Sequence, residues 1–162
     1  MIQRRQSIYM FLAAVLSALL FFVPLATFVT GDNVMNFTVF GIDNPGEMLS
    51  LESITTWPLV VLAILMTLVP LITIFLYKKR EKQVRLCRLN LLVNIIFIGL
   101  VFLYYENDIL MVIAAIEGDS YELDVAYFIG MAFPLVNLVL EILAIRGIKK
   151  DIELLKSVDR LR

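Results

Sequence analysis

Four long apolar stretches punctuate this chain, and the polar residues fall almost entirely between them. Ile8 to Val29 reads IYMFLAAVLSALLFFVPLATFV, and Trp57 to Tyr77 reads WPLVVLAILMTLVPLITIFLY. Leu89 to Tyr105 reads LNLLVNIIFIGLVFLYY, and Tyr127 to Ile145 reads YFIGMAFPLVNLVLEILAI. A hydrocarbon layer about 30 Å thick takes about 20 apolar residues of helix at 1.5 Å each. Each stretch therefore predicts a transmembrane helix, with spans over 8–29, 57–77, 89–105 and 127–145. The third is short and is expected to begin a turn before its apolar run. The fold class is an all-α membrane protein, a four-transmembrane-helix bundle forming a single domain over residues 1–162. Thr55 or Thr56 can cap the second helix, and Pro58 suits its first turn. Pro24, Pro70 and Pro134 predict kinks.

The segments between the spans carry a second, weaker pattern. Val34 to Ile42, VMNFTVFGI, partly alternates apolar and polar as a strand does, and DNPG at Asp43 to Gly46 is a turn signal. Ile109 to Ile116 reads ILMVIAAI. It is followed by EGDS and then YELDV, where Tyr121, Leu123 and Val125 alternate with Glu122 and Asp124. A hairpin over 109–125, joined by the strand from the first loop, would form a small extracytoplasmic β cap. The competing reading makes 109–116 a short helix lying on the membrane.

Charge orients the spans. All fourteen lysines and arginines lie before the first span, between the second and third, or after the fourth. The segments 30–56 and 106–126 hold none, but contain ten carboxylates. Because cytoplasmic segments retain Lys and Arg, both termini are expected in the cytoplasm. Trp57, Tyr104, Tyr105 and Tyr127 at one set of span ends, and Tyr9 and Tyr77 at the other, match aromatic belts. Arg4 and Arg5 before an apolar run also fit a secretory leader. The run is longer than a usual leader core, however, and no small-x-small site is well placed after it, so a retained span is expected. The ten carboxylates show no calcium-loop spacing, and no metal site is expected from them. Asn36-Phe37-Thr38 matches a glycosylation sequon, a pattern common by chance.

Composition removes several chemistries. The chain is 60% hydrophobic and 18% charged, more apolar surface than a soluble domain of this size can hide. It has no histidine, which removes the commonest general base and metal ligand. Its one cysteine, Cys87, cannot form an internal disulfide. No cofactor is expected and no catalytic set is visible.

Few polar groups interrupt the spans. Glu141 is the only charge within them, with Asn137 one turn earlier on the same face. Asn90 and Asn94 are similarly paired in span three, and Thr73 lies near the matching end of span two. The functional reading is an ion or proton site around Glu141. The structural reading is a carboxylate that joins helices, bonded to Asn94 or Asn137 or paired with Arg88 or Arg146. The structural reading is favoured, because one acidic group near one face is too little for a transmembrane relay. Ala13, Ala14, Ser17 and Ala18 form small-xxx-small pairs that predict an internal helix contact first and a homodimer seam second.

After Gly147, the tail over 147–162 places Ile148, Ile152, Leu155 and Val158 at helical spacing, with Lys149, Lys156 and Arg160 on another face. This predicts an amphipathic helix that continues span four or lies on the anionic inner surface, its basic residues facing membrane lipids. Nucleic acid is not an expected partner, because Asp151, Glu153 and Asp159 interrupt the basic face and stacking aromatics are lacking.

Three segments carry a resemblance together: MIQRRQSIYMFLAAVLSALLFF, VRLCRLNLLVN and ILAIRGIKKDIELLKSVDRLR. They resemble a family of small four-helix inner-membrane proteins from Bacteroidota, catalogued as domain of unknown function 4293. The resemblance covers most of the chain and is weakest in the two outer loops. It implies a bacterial inner membrane and four spans, and it carries no activity, cofactor or catalytic residue. The expected function is a non-enzymatic scaffold or accessory subunit, within a larger membrane complex or as a homo-oligomer. The alternatives are a small cation channel or transporter acting as an oligomer, and, last, a lipid-acting membrane enzyme.

Overall fold

The computed structural model describes residues 5–30, 33–43, 55–77, 79–105, 107, 123–127 and 129–160. Among them are four α-helices: α1 (Arg5–Leu19), α2 (Trp57–Phe75), α3 (Arg80–Leu100) and α4 (Ile129–Arg160). A π-helical turn over Val101–Tyr105 continues α3. Four strands accompany them: β1 (Ala26–Thr30), β2 (Asn33–Thr38), β3 (Gly41–Asp43) and β4 (Leu123–Tyr127). The regions of α2, α3 and α4 are each long and apolar enough to cross a membrane, whereas α1 is shorter. At 15 residues, α1 spans about 22 Å.

Each helix packs against two others, α1 and α3 both lying between α2 and α4, so that the four close a ring. The strands form one antiparallel sheet in the order β3-β2-β1-β4. Its inward side chains Phe28, Met35 and Phe37, with Val39 of the turn after β2, bury against Leu20, Leu59, Met66, Phe97 and Met131 of the helical region. A second apolar cluster, Met10, Val84, Cys87, Ala144 and Ile148, fills the opposite end of the ring. Outward, Phe11, Ile64, Leu68, Leu92, Ile96 and Val139 are exposed, the side-chain chemistry a lipid-facing surface requires.

The first apolar stretch departs from the expected 8–29 helix. After Leu19 the chain tightens, with Leu20 N–H donating to Ser17 O and Phe21 N–H to Ala18 O. Pro24 then offers no N–H with which to propagate a helix. The residues that follow, ATFVT, are rich in β-branched and aromatic types. They find a partner on each side: Phe28 faces Met35 on β2 and Val125 on β4. Pro24 therefore marks a change of element and not a kink, while Pro70 and Pro134 do lie inside helices.

The other boundaries also move. The expected strand over 34–42 is a hairpin of β2 and β3 turning at Val39 and Phe40, where Gly41 takes φ +150°, a backbone that favours glycine. Tyr127 belongs to β4, opposite Ala26, and does not open span four. The third helix begins at Arg80, more than two turns before Leu89. The tail is one helix with span four, since α4 runs unbroken to Arg160. Thr56 occupies the N-cap position of α2 without capping it; its hydroxyl instead donates to Phe40 O, at 2.8 Å, tying the helix to the sheet. Pro58 sits in the first turn as expected. Residues 109–116 and most of the DNPG turn lie outside the described residues, as does the 109–122 part of the expected hairpin.

Close packing at the sheet end rests on one glycine. A Cβ at Gly130 would collide with the backbone oxygen of Pro24 and lie 3.3 Å from Val23 Cγ1, whereas one at Gly99 would meet nothing within 4 Å. Gly130→Ala is expected to destabilise the protein by about 1–3 kcal/mol. Gly99→Ala is expected to be neutral or stabilising by up to about 1 kcal/mol. Unfolding of the two variants in mixed detergent micelles checks this, and equal midpoints would refute the close approach.

Candidate functional site

The inward faces of the helices repeat at alternating spacings of three and four residues. On α1 they are Gln6, Met10, Ala13 and Ser17, and on α2 Leu59, Ala63, Met66, Pro70 and Thr73. On α3 they are Gln83, Cys87, Asn90, Asn94 and Phe97, and on α4 Asn137, Glu141, Ala144 and Ile148. A mean step of 3.5 keeps one stripe facing its neighbours along the whole helix. Polar side chains placed on that stripe are carried into the interior, where they must find partners in one another.

They do so as a seam. Nearest the sheet, Asn137 Nδ2 donates to Ser17 Oγ at 2.8 Å, and Asn94 Nδ2 donates to the backbone oxygen of Pro134 at 3.1 Å. Next, Asn90 Nδ2 donates to Glu141 Oε1. The Thr73 hydroxyl donates to Val69 O at 2.6 Å, and Gln83 Nε2 to Thr73 O at 2.9 Å. At the far end Asp151 joins three helices. Its carboxylate accepts from Gln6 Nε2 at 2.9 Å, its backbone oxygen accepts from Arg80 Nη1 at 3.1 Å, and the Arg80 guanidinium lies 3.8 Å from its carboxylate.

All five residues expected to form an intramembrane polar cluster, Glu141, Asn137, Asn94, Asn90 and Thr73, are buried here. The partners differ from those expected. Glu141 bonds Asn90, while Asn94 and Asn137 bond other groups and Arg88 and Arg146 face outward. Lys149 is exposed; the side chains of Lys156 and Arg160 lie outside the described residues. Ala13, Ala14 and Ser17 are buried within the chain itself, so the small-residue face of α1 serves an internal contact.

Sequence reasoning missed Gln6, Ser17, Gln83, Arg80 and Asp151 as members. A signal was present for most of them, since Gln6 and Ser17, Gln83 and Asn90, and Glu141 and Asp151 are separated by sums of threes and fours. Those residues lay outside the apolar spans or looked too small to count.

The seam is unbalanced in hydrogen bonding. Among the described residues, six buried oxygens receive no hydrogen bond: Gln6 Oε1, Gln83 Oε1, Asn90 Oδ1, Asn94 Oδ1, Asn137 Oδ1 and Glu141 Oε2. The amide orientations of Asn90 and Asn94 are dictated, since only an NH₂ can face a carboxylate or a carbonyl oxygen. Their oxygens are therefore left over. A cavity about the size of one water molecule lies beside them, lined by Met10, Ala13, Val69, Pro70, Thr73, Cys87, Asn90, Glu141 and Ala144. Among the described residues no three His, Cys, Asp or Glu side chains converge as a metal-holding group. The Cys87 thiol is buried and directed at Met10 Sδ, 3.8 Å away. The leftover oxygens are acceptors without donors, and among the described residues no activated nucleophile accompanies them.

A double-mutant cycle on Ser17→Ala and Asn137→Ala is expected to give a coupling energy of about 0.5–1.5 kcal/mol, the range of interhelical hydrogen bonds in membranes. Unfolding equilibria in mixed micelles measure it. Strict additivity would mean the two side chains do not interact.

No curated protein and no solved structure matches the chain. A family model matches residues 2–161, nearly its full length, and the chain therefore belongs to the family described as Domain of unknown function (DUF4293).

Proposed function

We propose that this is a small bacterial inner-membrane protein that crosses the bilayer four times with both termini cytoplasmic, and that it serves as a non-enzymatic scaffold or accessory subunit of a membrane complex. The segregation of every lysine and arginine from the segments 30–56 and 106–126 supports the orientation. A short first crossing by α1 is compatible with local bilayer thinning and with Arg4 and Arg5 reaching toward the headgroups.

The observation that carries the scaffold reading is the reach of α4. Among the described residues its last polar tie to α1 and α3 is Asp151, with Ile152 packed against their apolar cluster beside it, yet the helix continues to Arg160 with Leu154 and Leu155 exposed beside Glu153. Exposed leucines on a charged helix beyond the packed ring suit a second protein chain at the membrane surface. The absence of histidine and the engagement of the buried acid by an amide favour a non-enzymatic role over lipid chemistry. A channel or transporter reading draws on the same seam. Against it, Leu20, Leu59, Met66 and Phe97 fill the interior on the sheet side of the seam with apolar side chains.

Two measurements test the proposal. Cys87 is buried and unsuited to surface labelling, so exposed positions serve in a Cys87→Ser background. Asp43→Cys is expected to react with an impermeant maleimide from the periplasmic side, and Glu81→Cys only after the inner membrane is permeabilised; the reverse pattern contradicts the orientation. Crosslinking in native membranes from α4 residues 153–157 is expected to capture the same partner protein in independent preparations. Recovery of uncrosslinked monomer alone counts against the scaffold role.

A further inference from the structure

We propose that Glu141 holds a proton and closes a two-bond acid–amide ring with Asn90, a joint between α3 and α4 that opens when the proton leaves. Asn90 Nδ2 already donates to Glu141 Oε1. The remaining oxygen of each group, Glu141 Oε2 and Asn90 Oδ1, is buried and receives no hydrogen bond among the described residues. A carboxylic acid and a primary amide are planar, and each presents a carbonyl oxygen beside a donor. Two such groups joined at one corner pair at the other by a small turn of their planes. One hydrogen on Oε2, donated to Asn90 Oδ1, therefore satisfies both leftover atoms together. Among the described residues the rest of the seam offers no such pair. Gln6 and Asp151 are also amide and acid, but the Arg80 guanidinium lies 3.8 Å from the Asp151 carboxylate and meets its charge. Asn94 donates to a backbone oxygen and Asn137 to a hydroxyl.

The surroundings offer the pair no other donor. The Thr73 hydroxyl is engaged by Val69 O, and the Cys87 thiol is directed at Met10 Sδ. The cavity beside the pair exposes only apolar surface, and apolar cavities stay dry. Arg88 and Arg146, the basic residues nearest the pair in sequence, are exposed. Arg80 and Asp151 pair with each other ten residues along their helices, about 15 Å away. An ionised Glu141, 5% exposed, would be a buried charge without a partner, which is costly. Around the cavity, α1 and α2 contribute no titratable or charged side chain, α4 none besides Glu141, and α3 only Cys87. Loss of the proton would remove one of the two bonds and set a bare charge among apolar groups. The contact of α3 with α4 is therefore tightest while the proton is held, at a level between the Asn94–Pro134 bond and the Arg80–Asp151 tie.

Infrared difference spectroscopy of the purified full-length protein in lipid bilayers, native minus Glu141→Gln, reads the proton directly. At about pH 7, where an ordinary carboxyl is ionised, the native protein is expected to show the carbonyl band of a protonated acid, shifted down in D₂O. Absence of that band overturns the proposal. If Glu141→Gln does not fold, H₂O-minus-D₂O spectra of the native protein isolate the same band. Asn90→Leu removes the amide's donor and acceptor and is expected to move the band to higher wavenumber; an unmoved band overturns the ring. If Asn90→Leu does not fold, the native band decides, since a ring-bonded acid absorbs below a free one, and a band at the free-acid position overturns the pairing. Unfolding gives a second readout. Glu141→Gln keeps both corners of the ring, its NH₂ donating to Asn90 Oδ1, and removes the titration. Folding of the native protein takes up a proton wherever the unfolded carboxyl is ionised, so its stability falls as pH rises. The midpoint of Glu141→Gln is expected to lie above the native one by a gap that widens from about pH 5 to about pH 8. A gap that stays constant over that range overturns the proposal.

Discussion

Hydrocarbon offers no hydrogen bonds, so every backbone N–H and C=O at membrane depth must be paired within the protein. That constraint explains why this chain is helical where it is most apolar, and why its sheet sits at one end of the helical ring. β1 is paired on both sides, by β2 and β4, but β3 and β4 leave open edges among the described residues. An open sheet edge is excluded from hydrocarbon, so the crossing proposed above puts the sheet in or beyond the headgroup layer. The shortness of α1 follows from the same rule. Once Pro24 stops helix propagation, residues 26–30 need another way to satisfy their backbone, and pairing with two strands provides it.

The same rule acts on side chains. An interior stripe that carries Ser17, Asn90, Asn94, Asn137 and Glu141 can be tolerated only if those groups answer one another across the helices. They do so in part, and the bonds link α1 to α4 and α3 to α4 at successive levels. Such contacts add specificity that apolar packing lacks, because a helix rotated by one residue would present amides to lipid. The surplus of oxygens over donors, spread along the whole seam, is the feature that simple adhesion does not account for.

Much of this was legible in the residues. Long apolar runs located α2, α3 and α4, and the single Glu within those runs, with its neighbouring Asn residues, marked the seam. What hydropathy could not read was the end of the first helix, because FFVPLATFV is as suitable for a buried strand as for a span. Only the tertiary pairing of Phe28 with Met35 and Val125 separates the two. The partner of Glu141 was hidden for a different reason. Asn90, Asn94 and Asn137 were equally plausible on one helical face, and the relative heights of α3 and α4 decide among them.

Trp57, the only tryptophan, opens α2 beside the hydrogen bond from Thr56 to Phe40, at the junction of sheet and helices, and is 65% exposed. Its fluorescence in liposomes, quenched by lipids brominated at different depths, reports where that junction lies. Strongest quenching by bromines nearest the headgroups is expected if the sheet sits outside the hydrocarbon. Strongest quenching by bromines near the bilayer centre would place open strand edges in lipid and contradict the placement of the whole fold.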